Sequence, residues 1–192
     1  MPWNFPIFLT WMRVLLIPVF TALFFLPKGV FDNHTINWLA AAIFAIAAIT
    51  DWFDGFLARR WKQTSDFGAF LDPVADKLMV AVALILLVSL GRTYAIFAMI
   101  IIGREITISA LREWMAQIGA SKSVAVHMIG KVKTMAQMVA IPFLLYDGVV
   151  FQVVDTHFWG QILIWLAAVL TIWSMAYYLQ KAIPEIRARV KR

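Results

Sequence analysis

Four aspartates in this chain fall at spacings that can converge. Asp51 and Asp54 are three residues apart, and Asp72 and Asp76 are four apart. On a helix either spacing puts both side chains on one face, one turn apart. A helical hairpin joining the two pairs therefore points four carboxylates at one another. In a low-dielectric setting they repel, unless a cation neutralises them or some take up protons. Donors that are all oxygen suit Mg²⁺, Mn²⁺ or Ca²⁺ rather than zinc. Two such ions bound by shared carboxylates can clamp a phosphoryl group during a displacement. The neighbouring residues suit the same chemistry. Gly55 follows Asp54 and Ala58 lies on the Asp51 face, so a bulky ligand can approach the backbone there. Arg59 lies one turn beyond Gly55, with a planar fork that matches a phosphate. Asp72-Pro73 reads as an N-cap followed by Pro at the first helical position, or as a Pro inside a longer helix that kinks it.

The elements that must hold these groups are apolar. Of 192 residues, 62% are hydrophobic and 15% charged, and the mean hydropathy is +0.81. A transmembrane helix needs about 20 mostly apolar residues, so the hydrophobic content is enough for about six spans. This composition excludes a soluble enzyme on one anchor, and it excludes disorder. The apolar runs are continuous rather than alternating, which argues against an outer-membrane barrel. The absence of cysteine removes disulfides, thiolate ligands and a cysteine nucleophile. Arg13 and Pro18 interrupt the first apolar run, and no basic region precedes it, so it does not read as a cleavable signal. Six spans are expected, near residues 7–26, 37–57, 74–90, 94–103 running on toward 115, 134–154 and 158–179. The expected fold is an all-α integral membrane protein, a six-helix bundle.

The net charge of +6 points to anionic lipid and a positive-inside bias rather than to nucleic acid. Thirteen basic residues fall in the 2–3 connection, the 4–5 region and the C-terminal tail, against Lys28 and Arg92 in the opposite connections. That asymmetry predicts that both termini are cytoplasmic. Trp3, Trp38, Trp61 and Trp159 lie near span ends, where interfacial anchors belong.

The run Asp51-x2-Asp54-Gly55-x2-Ala58-Arg59-x8-Gly68-x3-Asp72-x3-Asp76 resembles the signature of the CDP-alcohol phosphatidyltransferase family at every defined position. Other blocks resemble bacterial members that use sn-glycerol 3-phosphate as acceptor. These blocks are Asn4-Phe5-Pro6-Ile7-Phe8-Leu9-Thr10-Trp11-Met12-Arg13, Gly103-Arg104-Glu105-Ile106, Ser109-Ala110-Leu111-Arg112-Glu113-Trp114 and Gly130-Lys131-Val132-Lys133-Thr134-Met135-Ala136-Gln137. The last span and the basic tail add no recognisable motif.

The resemblance implies one membrane domain over residues 1–192, with the signature at 51–76, six transmembrane helices and a homodimer. It places the protein in the bacterial cytoplasmic membrane with its active site facing the cytoplasm. It implies transfer of a phosphatidyl group from CDP-diacylglycerol to sn-glycerol 3-phosphate, releasing CMP. By position, Asp51, Asp54, Asp72 and Asp76 match a catalytic cluster holding Mg²⁺ or Mn²⁺, one ion or two, and Asp76 also matches the general base. Gly55, Ala58, Arg59 and Gly68 match positions that cradle the CDP moiety, and Ser65 is a weaker match beside them. A donor with acyl tails stays in lipid, since each buried methylene is worth about 0.8 kcal/mol. The acceptor's phosphate needs a second basic pocket, for which Arg104, Arg112, Lys131 and Lys133 are the candidates.

Each candidate has a plainer explanation. The acids could be solvated helix-end residues paired with Arg59, Arg60 and Lys62. Lys131 and Lys133 could serve topology alone, and Arg104 and Arg112 could pair with Glu105 and Glu113. A small cation transporter is the alternative from another class, but it favours midplane carboxylates and internal repeats. Inositol, serine, choline or phosphatidylglycerol are alternative acceptors, because the signature fixes only the donor chemistry. His34, His127 and His157 form no ligand cluster, Asp66 reads as a partner of Lys62 or Arg60, and Asp32, Asp147 and Asp155 read as opposite-side loop charges. Asp76→Asn is expected to abolish CMP release while leaving a folded protein. Wild-type-like rates in a CMP-release assay would remove Asp76 from catalysis.

Overall fold

The apolar runs form six helices in a computed structural model that describes residues 5–27, 29–61, 66–117 and 128–190. Helix α1 is Phe5–Ala22 and runs into a 3₁₀ turn, Leu23–Phe25. Helix α2 is Asn33–Trp61, α3 is Asp66–Ser89, and α4 is Ala95–Gln117. Helix α5 is Met128–Tyr146 and α6 is Thr156–Val190. Between them a small antiparallel hairpin pairs β1, Val149–Val150, with β2, Val154–Asp155.

The ends of these helices have local causes. Asp32 caps α2, accepting bonds from the Thr35 backbone N–H and hydroxyl. The Thr35 side-chain bond, then its backbone bond, hold the Asp32 carboxyl below its ordinary value. Asp155 caps α6 in the same way through the Phe158 N–H at 3.0 Å. Helix α3 stops at Gly91, whose φ is +70°. There Gly91 N–H donates to Val88 O and Arg92 N–H to Leu87 O, the paired bonds of a Schellman motif. A non-glycine residue would be strained at that φ.

Three expectations change. Helix α5 ends at Tyr146, not near 154. Asp147 turns left-handed, with φ 49°, and Arg92 takes the carbonyls of Leu144 and Leu145, so the valine-rich run that follows forms the hairpin. Helix α3 begins at Asp66, so Asp72 and Pro73 lie inside it and the N-cap reading is wrong. Pro73 removes one intrahelical bond and the helix continues through it. Helix α6 runs on to Val190, which makes most of the basic tail helical. Helix α4 is continuous through Gly103, carrying Arg104, Glu105, Arg112 and Glu113 on a single helix.

The core runs through the bundle, from Phe20 and Phe44 through Met79, Leu84 and Ile101 to Ile141, Leu144 and Ile164. Helices α5 and α6 approach closely at Gly160, where an added Cβ would lie 2.7 Å from Leu144 Cγ. The outer surface is apolar as well. Leu15, Val19, Ile46, Ile49, Ile85, Met99, Met135, Trp165 and Trp173 are all exposed, whereas Arg13, Arg104 and Lys133 are buried. Among the described residues, Asn33–Asp51 and Thr156–Pro184 are long and apolar enough to cross a membrane, and Thr10–Phe25 and Val132–Tyr146 are shorter apolar segments.

One polar knot closes the end of the bundle that carries the α3–α4 and α5–α6 connections. Arg92 donates to Leu145 O at 2.7 Å and to Asn37 Oδ1 at 2.8 Å, and its Nε lies 3.0 Å from Asp147 Oδ2. Gln161 donates to Arg92 O at 2.6 Å, and His157 Nδ1 meets Asp147 Oδ1 at 2.8 Å. Burial pushes the Arg92 guanidinium below its ordinary pKa, and Asp147 opposes that shift. Arg92→Met leaves Asp147 and the last α5 carbonyls without this donor. It should cost about 3 kcal/mol, read as a lower melting temperature in detergent. An unchanged melting temperature would show that the knot is not structural.

Candidate functional site

Asp51 and Asp54 both lie on α2, and Asp72 and Asp76 both lie on α3. Gly55, Ala58 and Arg59 continue α2, and Gly68 lies in the first turns of α3. The helix is described at Gly55, Ala58 and Gly68, but their surroundings are not, nor are the side chains of Asp54, Arg59, Asp72 and Lys131, and Ser65 lies outside the described residues.

Two of the four carboxylates can be followed to their surroundings, and both face a residue that spacing did not single out. Arg13 on α1 donates from Nη1 to Asp51 Oδ1 at 2.6 Å. Its side chain is 2% exposed, against 33% for Asp51. Asp76 lines a narrow cavity together with Arg13, Phe44, Ala47, Met79 and Met138. Arg13 on α1 therefore pairs with an acid of α2 and lines a cavity with an acid of α3. Asp51 closes the apolar stretch of α2. It lies fourteen residues, about 21 Å at 1.5 Å per residue, from Asn37 in the polar knot at the other end. The donor set suits a hard divalent cation, because every candidate ligand is a carboxylate oxygen. Among the described residues no three acids or histidines come close enough to hold one. The other two ligands of the proposed set, Asp54 and Asp72, have side chains outside that description.

A second cluster joins α4, α5 and α6. Glu105 Oε1 receives Lys133 Nζ from α5, and also Arg104 Nη1 at 3.1 Å. Lys133 and Arg104 are 1% and 6% exposed. Arg104 Nη2 lies 3.4 Å from Ser174 Oγ on α6. The guanidiniums of Arg104 and Arg112 both lie against the Tyr178 ring. Three of the four predicted acceptor residues thus lie in one neighbourhood. Arg104 and Lys133 are held by Glu105, while Arg112 is exposed. The expected ion pair with Glu105 is present for Arg104.

Three residues escaped sequence reasoning. Arg13 reads as an interruption of an apolar run and as the end of a resembling block, with no role assigned, although an ionisable residue inside a span is itself a signal of function. Glu105 registered only as a possible partner, and its distance in sequence from Lys133 hid the pair. Tyr178 had no signal, since one aromatic on an apolar helix is ordinary core.

The sequence is similar to known proteins over nearly its whole length. The family profile described as CDP-alcohol phosphatidyltransferase matches residues 3–173. The CDP-diacylglycerol–glycerol-3-phosphate 3-phosphatidyltransferase of Escherichia coli (strain K12) is 50% identical over 187 residues, covering 95% of this chain and 96% of the relative. Proteins of the same name from Shigella flexneri serotype 5b (strain 8401) and Shigella sonnei (strain Ss046) match at the same 50% identity and the same coverage.

Glu105→Gln removes the counter-charge of two buried cations. It should destabilise the protein by about 3 kcal/mol, as breaking a buried pair from one side does. The measurement is thermal unfolding in detergent. A variant as stable as the parent would mean that Lys133 and Arg104 do not depend on Glu105.

Proposed function

The chain belongs to the CDP-alcohol phosphatidyltransferase family, and from that premise we propose that it transfers the phosphatidyl group of CDP-diacylglycerol to sn-glycerol 3-phosphate, giving phosphatidylglycerol phosphate and CMP. The observation that carries this reading is the 50% identity, across 95% of the chain, to a relative named for that reaction. The signature on α2 and α3 supports the donor half. The basic cluster on α4 and α5 supports the acceptor half.

In this reading Asp51, Asp54, Asp72 and Asp76 form the acidic centre, and Gly55, Ala58, Arg59, Ser65 and Gly68 hold the nucleotide. Mg²⁺ or Mn²⁺ held by the four aspartates, as one ion or two, supplies charge neutralisation at the phosphoryl oxygens and at the departing CMP. Asp76 takes the proton of the acceptor hydroxyl. That oxygen attacks the phosphorus bearing the diacylglycerol, the anhydride bond to CMP breaks, and CMP leaves. Arg59 serves the phosphate that leaves, its planar fork suited to growing negative charge. Arg104, Arg112, Lys131 and Lys133 hold the phosphate of the acceptor. Arg13 keeps Asp51 oriented and partly neutralised.

The lipid donor needs a bilayer, and the inverted burial supports one. Large apolar side chains cover the outside while ionised groups sit within. We place all six helices across the bacterial cytoplasmic membrane as one domain, with both termini and the acidic centre on the cytoplasmic side, and take the protein as a homodimer. Helix α2 has 29 residues, about 43 Å at 1.5 Å per residue, against a hydrocarbon core of about 30 Å. Its surplus carries residues 51–61 to the interface, where acyl tails stay in lipid and polar substrates arrive from water.

The test is CMP release by the purified protein with CDP-diacylglycerol and Mg²⁺ or Mn²⁺. Release should require sn-glycerol 3-phosphate, fail with inositol, serine or glycerol, and stop when the metal is chelated. Equal release with inositol would overturn the assigned acceptor. No release with any acceptor would overturn the enzymatic reading.

A further inference from the structure

The family profile ends at residue 173, and the next face of α6 carries Ser174 and Tyr178, four residues apart. Tyr178 is 1% exposed and packs with Ile108, Met115 and Ala182. Its ring centroid lies 5.5 Å from the Arg104 guanidinium carbon and 5.7 Å from that of Arg112. Both arginines come from α4, eight residues apart, so one buried ring from α6 carries two cations of another helix.

Both guanidiniums are drawn toward one ring. A carboxylate between them would hold them together but would also cancel their charge, as Glu105 does for Lys133 and Arg104. An aromatic face attracts both cations through its quadrupole and carries no net charge. The ring therefore cancels no charge, and Glu105 offsets only one of the three cations Lys133, Arg104 and Arg112. Ser174, on the same face of α6, meets Arg104 at 3.4 Å, so two residues of α6 reach that guanidinium.

We propose that Tyr178 is a positioning residue that holds Arg104 and Arg112 together for the phosphate dianion of the acceptor, and that α6 thereby contributes to acceptor selectivity. The proposal rests on the acceptor reading of Arg104 and Arg112 given above. The ring itself does not touch substrate. It acts by fixing the planes and spacing of two guanidinium forks, which phosphate recognition requires. Its place beyond the family-matched residues suits this division. The signature on α2 and α3 serves the donor that the family name describes, while the acceptor side draws on α6.

The test is steady-state kinetics on the full-length protein in lipid–detergent micelles, comparing the parent with Tyr178→Phe, Tyr178→Leu and Arg112→Ala. Tyr178→Leu should raise KM for sn-glycerol 3-phosphate about tenfold, equivalent to about 1.4 kcal/mol. Its KM for CDP-diacylglycerol should stay within about twofold. Tyr178→Phe keeps the π face and should stay near the parent for both substrates. Inhibition by inorganic phosphate should weaken in parallel with the acceptor KM. An unchanged acceptor KM in Tyr178→Leu, an equal rise in both KM values, or a phenylalanine variant as impaired as the leucine one would overturn the proposal. Tyr178→Met keeps apolar volume without a ring and replaces the leucine variant if that one does not fold. Arg112→Ala separates the two layers. If it leaves the acceptor KM unmoved, the acceptor reading fails. If it raises that KM and Tyr178→Leu does not, only the role of the ring fails.

Discussion

An ionised side chain inside a bundle with an apolar exterior must find its counter-charge within the bundle. Desolvating one such ion costs several kcal/mol. Arg13, Arg104 and Lys133 meet that condition by reaching across helices. Arg13 on α1 finds Asp51 on α2, and Lys133 on α5 and Arg104 both find Glu105 on α4. These pairings orient α1 against α2 and α4 against α5 at the same end of the molecule. They are poor devices for stability alone, since well-packed apolar residues of similar size often serve as well or better. Their concentration toward the end of the bundle that carries the acidic signature is what the proposed site draws on.

The two ends of the bundle use arginine differently. At the knot, Arg92 spends its donors on two carbonyls, an asparagine and an aspartate, and nothing is left for a ligand to compete for cheaply. At the other end, Arg104 and Arg112 lie against a neutral ring, and Glu105 balances two cations with one carboxylate. The first arrangement closes a helix end and locks a connection. The second leaves positive charge that two phosphate-bearing substrates can use. In the proposed reading the donor half rests on α2 and α3 and the acceptor half on α4, α5 and α6, with Arg13 paired to α2.

Much of this was legible along the chain because the informative pairs are local. Asp51 with Asp54, and Asp72 with Asp76, are related by one helical turn, so spacing alone puts them on common faces. Arg104 and Arg112 are likewise two turns apart on one helix, and they do meet a common ring. The end of α5 was not legible, because the valine-rich stretch 149–154 is as apolar as a helix and only the Arg92 contacts stop the helix before it. The interior position of Pro73 was left open, since an Asp-Pro pair suits a helix start as well as a kink.

What the sequence determined by itself is therefore what helical periodicity and composition encode: an apolar all-α chain, a carboxylate hairpin with oxygen-only donors, and a basic excess near it. The tertiary structure alone decided which charges meet. Arg13 to Asp51 spans 38 residues, Lys133 to Glu105 spans 28, and Arg104 to Ser174 spans 70. No repeat distance joins such residues. They are brought together by the way helices pack, and the cost of burying an unpaired charge then selects among packings. That is why Tyr178, silent in the sequence, becomes a candidate part of the site once α6 lies against α4.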